Sequence, residues 1–79
     1  MDIYKIVVNY EGTLETELVP RIYCNRDEAF REAKAIIMGG YYEERPVDRV
    51  VVYREMPDAE LGWYRTIGQQ VFNQDNKGI

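Results

Sequence analysis

The 79-residue chain has no histidine, a single cysteine and no long apolar run, and each absence excludes something. Without histidine there is no imidazole to serve as general base, to activate a serine or cysteine, or to ligate a metal in the commonest way. The lone thiol, Cys24, can form neither an intramolecular disulfide nor a structural zinc site of the usual kind. It stands just before a helical stretch, where the helix dipole lowers thiol pKa values, but the role expected of it is that of a small buried hydrophobe. No segment approaches the roughly 18–20 apolar residues that cross a bilayer. The start, Met1-Asp2-Ile3-Tyr4-Lys5, has neither the basic region nor the apolar run of a signal peptide. A cytoplasmic location and no membrane partner are therefore expected.

Phosphate-cradling glycines are missing as well. Gly39-Gly40 follows a helical stretch, whereas a phosphate loop places its glycines after a strand and before a helix, so this pair reads as a helix C-cap. Carboxylates lie close in sequence as Glu15 with Glu17, Glu43 with Glu44, and Asp58 with Glu60. All three pairs fall on expected solvent faces or loops, where nothing separates their pKa values for acid–base work. No loop has the oxygen-ligand spacing of a Ca²⁺ or Mg²⁺ site. The expectation is a protein with no catalytic residues, no metal and no cofactor.

Positive charge is in short supply. Fourteen acids against ten bases give a net charge of −4, spread along the chain. Tight phosphate binding needs a concentrated positive field. Direct nucleic-acid binding through Arg21, Arg45, Arg49, Arg54 and Arg65 with stacked tyrosines is thus the least favoured class. The acidic excess reads either as a solvated surface that keeps a small protein soluble or as a face that imitates nucleic acid.

What is present is a run of well-marked elements. Tyr4, Ile6, Val8 and Tyr10 alternate with Lys5, Val7 and Asn9, which is a strand pattern. Glu11-Gly12-Thr13 interrupts, and a second extended run follows from Leu14 to Cys24 with Leu14, Leu18 and Ile22 on one face. Matching the apolar faces of the two segments sets Tyr10 against Leu14, Val8 against Thr16 and Ile6 against Leu18, with a three-residue loop or a bulge between them. Pro20 cannot donate to a ladder, so the second strand lies at an edge or breaks there. Asn25 is placed to cap a helix, with Glu28 suited to reach back to the cap. Ala29, Phe30, Ala33, Ile36 and Ile37 recur at helical spacing until Gly39-Gly40. Tyr41 to Pro46 is a polar connection, Val47 to Tyr53 a β-branched strand, Met56 to Gly62 a loop and Trp63 to Phe72 a closing strand.

This ββαββ order predicts a single α+β domain over residues 1–72: a four-stranded, largely antiparallel sheet of order 2-1-3-4 with the helix on one face, and a flexible tail over 73–79. The uncovered sheet face, to which Val7, Val19 and Tyr23 are expected to contribute, reads either as ordinary scattered apolar surface or as a partner or homodimer face.

Seven tyrosines and one tryptophan are many for this length. Tyr4, Tyr10 and Trp63 are the expected core aromatics. Tyr41 and Tyr42 stand together in the polar connection and run directly into Glu43 and Glu44. Tyrosine offers a large contact area with a polar tip and concentrates at binding hot spots. Tyr41, Tyr42, Glu43 and Glu44, joined by Glu15 and Glu17 of the hairpin, are therefore the candidate partner-binding residues. The competing reading packs one of the two tyrosines under the sheet rim and leaves the other exposed without a role.

The starting strand Ile3-Tyr4-Lys5-Ile6-Val7-Val8, the helix Arg26-Asp27-Glu28-Ala29-Phe30-Arg31-Glu32-Ala33 and the aromatic closing strand resemble, over about residues 3–72, small phage and mobile-element proteins such as the anti-CRISPR inhibitors. The resemblance is one of pattern and size and carries no functional residue across. It implies a stoichiometric inhibitor that occupies a basic nucleic-acid groove or a subunit joint of an effector complex. The sequence thus favours a small acidic, non-enzymatic inhibitor or adaptor that binds a protein partner. The alternative is a small subunit of an oligomeric enzyme or ligand-binding protein, with its pocket between chains.

Overall fold

Period-two alternation and β-branched residues build the sheet, and one amphipathic stripe builds the helix that covers it. The computed structural model describes residues 1–74. In chain order the elements are β1 (Ile3–Tyr10), β2 (Thr16–Leu18), α1 (Arg26–Gly39), β3 (Tyr41–Tyr42), β4 (Arg45–Asp58) and β5 (Trp63–Asn73). All strand pairings are antiparallel. The order is β2-β1-β4-β3, with β5 paired to β4 beyond β3. The α+β class and the single helix on an antiparallel sheet are as the sequence indicates. The four-stranded order 2-1-3-4 is corrected, because the connection after the helix supplies a fifth strand and the strand expected over 47–53 runs from Arg45 to Asp58.

Central to the sheet are β1 and β4, the two most apolar strands, paired from Ile3↔Glu55 to Tyr10↔Val47. Their helix-facing side carries Ile6, Val8, Tyr10, Val47, Val50 and Val52, all at most 2% exposed. Onto these α1 lays Ala29, Ala33, Ile36 and Ile37. Small alanines bring the helix axis close to the sheet, and Phe30 fills the space beside them, meeting Phe72 of β5 edge to face at 5.3 Å. The caps are as the sequence marks them. Asn25 Oδ1 accepts from the Asp27 and Glu28 amides at 2.8 and 3.2 Å, and Gly40 takes the left-handed conformation while its amide donates to the Ile36 carbonyl. Glu28 lies toward Arg21 at 3.9 Å rather than acting as a capping-box partner.

The first hairpin departs from the expected register by one residue. Val7 faces Leu18, Val8 faces Glu17 and Asn9 faces Thr16, across a four-residue loop. A one-residue slip turns every side chain of a strand over. Leu14 and Leu18 therefore point outward, the first fully and the second about half exposed, while Glu17 and Val19 turn toward the helix side. Helical packing decides this: Val19 and Tyr23 are needed to close the core beside α1 and are buried there, not on the open sheet face where the sequence placed them. Pro20 does end β2. Pairing then resumes as a single bridge, with Tyr4 and Tyr23 exchanging two backbone hydrogen bonds of 2.7 and 3.0 Å.

Beyond Glu55 the sheet narrows to a two-stranded arm. β1 begins at Ile3, opposite Glu55, so Met56–Asp58 pair with β5 alone. Pro57 fits here because the β1 ladder has already ended and no donor is needed on that edge. Asp58 Oδ1 accepts from the Glu60 and Leu61 amides, and Gly62 closes the turn at φ 78°. Trp63, expected in the core, lies on this arm and is 69% exposed. Cys24, expected to be buried, is exposed. At the other end β5 runs through Asn73, and the Gln74 side chain donates to the Ile37 carbonyl at 3.0 Å. The rest of the expected tail, 75–79, lies outside the described residues.

Candidate functional site

The six candidate residues belong to two hairpins, 11–17 and 41–45, and the fold brings both to the end of the molecule opposite the arm. The tighter hairpin is β3–β4. Tyr41 pairs with Pro46 and Tyr42 with Arg45, which leaves Glu43 and Glu44 as a two-residue loop. Both take positive φ, 53° and 65°. This is the backbone of a primed turn, whose twist matches a hairpin and which asparagine and glycine adopt with least strain. Two glutamates in the left-handed region therefore hold their carboxylates in solvent at the hairpin tip at a conformational cost.

Beneath that tip lies a four-residue network. Tyr10 is 2% exposed, and its hydroxyl donates to Glu17 Oε1 at 2.5 Å. The Arg45 guanidinium stacks over the Tyr10 ring at 3.9 Å and pairs with Glu15 at 2.7 Å. The Tyr10 hydroxyl is pushed up to about 12, chiefly because it donates to the Glu17 carboxylate and secondarily by desolvation. Tyr42 is also shifted upward, first by burial and then by the nearby Glu43 and Glu17 charges. Glu11 joins the same end, because its amide donates to the Pro46 carbonyl at 2.9 Å.

Not all six residues have the same standing. Tyr41 is 64% exposed, and Glu15, Glu43 and Glu44 are exposed. Tyr42 packs against the core and Glu17 is half-buried, so these two support the tip rather than present themselves. Sequence reasoning missed Tyr10 and Arg45 as the residues that tie the two hairpins together. The available signal was register: setting Val8 opposite Glu17 would have put Glu17 within reach of the Tyr10 ring.

Five carboxylates, of Glu11, Glu15, Glu17, Glu43 and Glu44, thus lie on these two hairpins, whose one base, Arg45, is already paired and stacked. The end is strongly acidic and carries one large exposed aromatic. Among the described residues no three of His, Cys, Asp or Glu are grouped to hold a metal ion. No helix among the described residues is long and apolar enough to cross a membrane. The arm forms a second exposed cluster that the sequence reading had assigned to core and loop: Trp63, Tyr64 and Leu61 stand 69, 42 and 49% exposed. Comparisons with protein-family models, with curated proteins and with solved structures find no match to this chain.

Proposed function

We propose that this chain is a small acidic, non-enzymatic inhibitor or adaptor that sets its Glu43-Glu44 tip against a basic surface of a protein partner. The observation that carries the reading is the turn itself. Two adjacent glutamates occupy a turn conformation that glycine or asparagine would adopt with less strain, and strained backbone concentrates where a side chain is needed in place. Exposed Tyr41 beside the turn adds the contact area of a hot-spot aromatic. Glu15, Arg45, Tyr10 and Glu17 fix the two hairpins to each other, so little side-chain and loop order remains to be lost on binding. Carboxylates held in this way suit a guanidinium- and ammonium-lined groove of the kind that otherwise receives nucleic acid. The anti-CRISPR-like reading is one instance of such an inhibitor, acting in the compartment where a nucleic-acid-binding effector complex works.

The test is a tagged pull-down from nuclease-treated bacterial lysate with wild type and with Glu43→Lys/Glu44→Lys in parallel. Wild type is expected to retain a stoichiometric partner, and the charge-reversed variant, still folded, to lose it. The wild-type association rate should fall steeply with salt, because complementary charge acts mainly on encounter. Equal retention by both proteins would remove the tip as the contact.

A further inference from the structure

The two edges of the sheet are treated very differently. Edge strands present unpaired backbone donors and acceptors, and proteins blunt them with shortness, proline, lysine or inward charge. β2 is blunted twice, being three residues long and stopped by Pro20. β5 is eleven residues long and contains neither proline nor lysine; its one bulge, at Ile67, and its one charge, Arg65, leave Gly68–Asn73 regular and uncharged, and no described strand pairs with its outer edge. It also lies in the longest acid-free stretch of the chain, with no Asp or Glu between Leu61 and Gln74.

A second feature sits directly under this edge. Gly68 leaves the helix side of β5 without a side chain, and a Cβ built there would meet nothing within 4 Å. The gap opens into a depression of about 140 Å³ floored by Phe30 and Val52, flanked by Gln70 and rimmed by Arg26 and Arg54. A free edge above a side-chain pocket is the arrangement by which a sheet accepts an added strand: backbone hydrogen bonds supply affinity and the pocket supplies register.

We infer that the occupant is a second copy of this chain, its β5 laid antiparallel against the first about a two-fold axis at Gln69. Two arguments select a copy of itself. The first is electrostatic. Two chains of net charge −4 repel, and β5 is the one long surface strand along which they can meet without opposing carboxylates. The second is shape. With Gln69 on the axis, Gly68 of each chain faces Gln70 of the other, so each Gln70 lies over the gap that Gly68 leaves, and Ile67 faces Val71. Gln70 makes only a long 3.4 Å contact with the Val71 carbonyl in the single chain, which leaves its amide available for the new partner. The bulge at Ile67 confines this ladder to about Ile67–Val71. The interface is therefore small, at the weak end for protein pairs. The dimer would carry the two acidic tips pointing in opposite directions and could engage two partner surfaces.

Sedimentation equilibrium of the full chain up to 1 mM, together with cysteine cross-linking, tests this. Mass should rise from the 9.3 kDa monomer toward twice that value. Gly68→Val fills the gap while favouring strand, and should weaken association about tenfold with the fold intact by circular dichroism. In a Cys24→Ser background, Gln69→Cys should oxidise to a symmetric dimer, while Leu18→Cys on the opposite edge should remain monomeric. A monomer at 1 mM overturns the proposal. So does a dimer that Gly68→Val leaves unchanged, or one in which Leu18→Cys cross-links and Gln69→Cys does not. None of these outcomes depends on the acidic tip, so failure here and failure of the partner-binding reading are separable.

Discussion

At the scale of the residue, the acidic tip trades stability for placement. Glu43 and Glu44 sit in the left-handed region, where a Cβ crowds the backbone and glycine does not suffer. Glu43→Asn with Glu44→Gly should therefore raise unfolding free energy in urea by about 1 kcal/mol, while abolishing partner capture in the assay above. A variant that loses stability would show that the glutamates make contacts which outweigh the strain. Tyr10 gives a pH signature. Its hydroxyl pKa lies near 12 in the folded chain, above its ordinary value of about 10 in an unfolded one. The protonated hydroxyl is thus favoured by folding. Its contribution is complete below pH 10 and is lost as pH rises toward 12. Thermal melts should fall over that window, and Tyr10→Phe should fall less steeply across it. A parallel decline in the two proteins would mean that Tyr23 or Tyr42, also shifted upward by burial, governs the alkaline limb.

At the scale of the element, the sequence was most legible where a signal was local. The cap at Asn25, the stop at Gly40 and the halt of β2 before Pro20 each follow from one residue's backbone chemistry, and each stands where it was expected. Signals that needed a partner strand were misread. Leu14 and Leu18 look like an inward face in isolation, yet Val19 and Tyr23 are the residues that α1 requires, and the whole of β2 turns over to supply them. Trp63 looked like core because tryptophan is large and apolar. Its position past the first residue of β1, where no layer remains to cover it, could not be known before β4 was seen to outrun β1. The contrast with Phe72 on the same strand is measurable. Trp63→Ser should change stability by no more than about 0.5 kcal/mol, as surface positions do, whereas Phe72→Ala, fully buried against Phe30, should cost about 3–5 kcal/mol. A large loss at Trp63 would place that ring in a packed environment and contradict the arm.

At the scale of the whole molecule, the extents of 38 × 24 × 19 Å describe a body with a projection. Three kinds of region follow from what covers them. The helix-backed centre, β1 with β4 from Val50 to Val52, is fully buried on its helix side and paired on both edges. The acidic end rests on the rim of that core at Tyr10 and Val47, and its two hairpins are joined by the Glu11 amide to the Pro46 carbonyl and by side chains: the Tyr10–Glu17 hydrogen bond and the Arg45–Glu15 pair. Among the described residues, the arm from Met56 to Arg65 has two strands, no helix above it, and side-chain ties confined to itself, chiefly Arg65 with Asp58 at 3.3 Å. An isolated two-stranded ribbon is marginal in water. Local opening should therefore follow this ranking, since free energies of opening run from near zero in unsupported segments to the global value in the core. Amide hydrogen exchange at neutral pH is expected to protect Ile6, Val8, Val50 and Val52 to the level of global unfolding. Amides between Asp58 and Arg65 should exchange at least about 100-fold faster, and those of the β3–β4 hairpin at an intermediate rate that rises in Arg45→Ala. Protection of the arm equal to that of the centre would require a third layer over Trp63 or Tyr64. Because the edge pairing at Gln69 stops short of the arm, dilution below the dimer constant should leave the arm's rates unchanged and accelerate only exchange around Gly68–Val71.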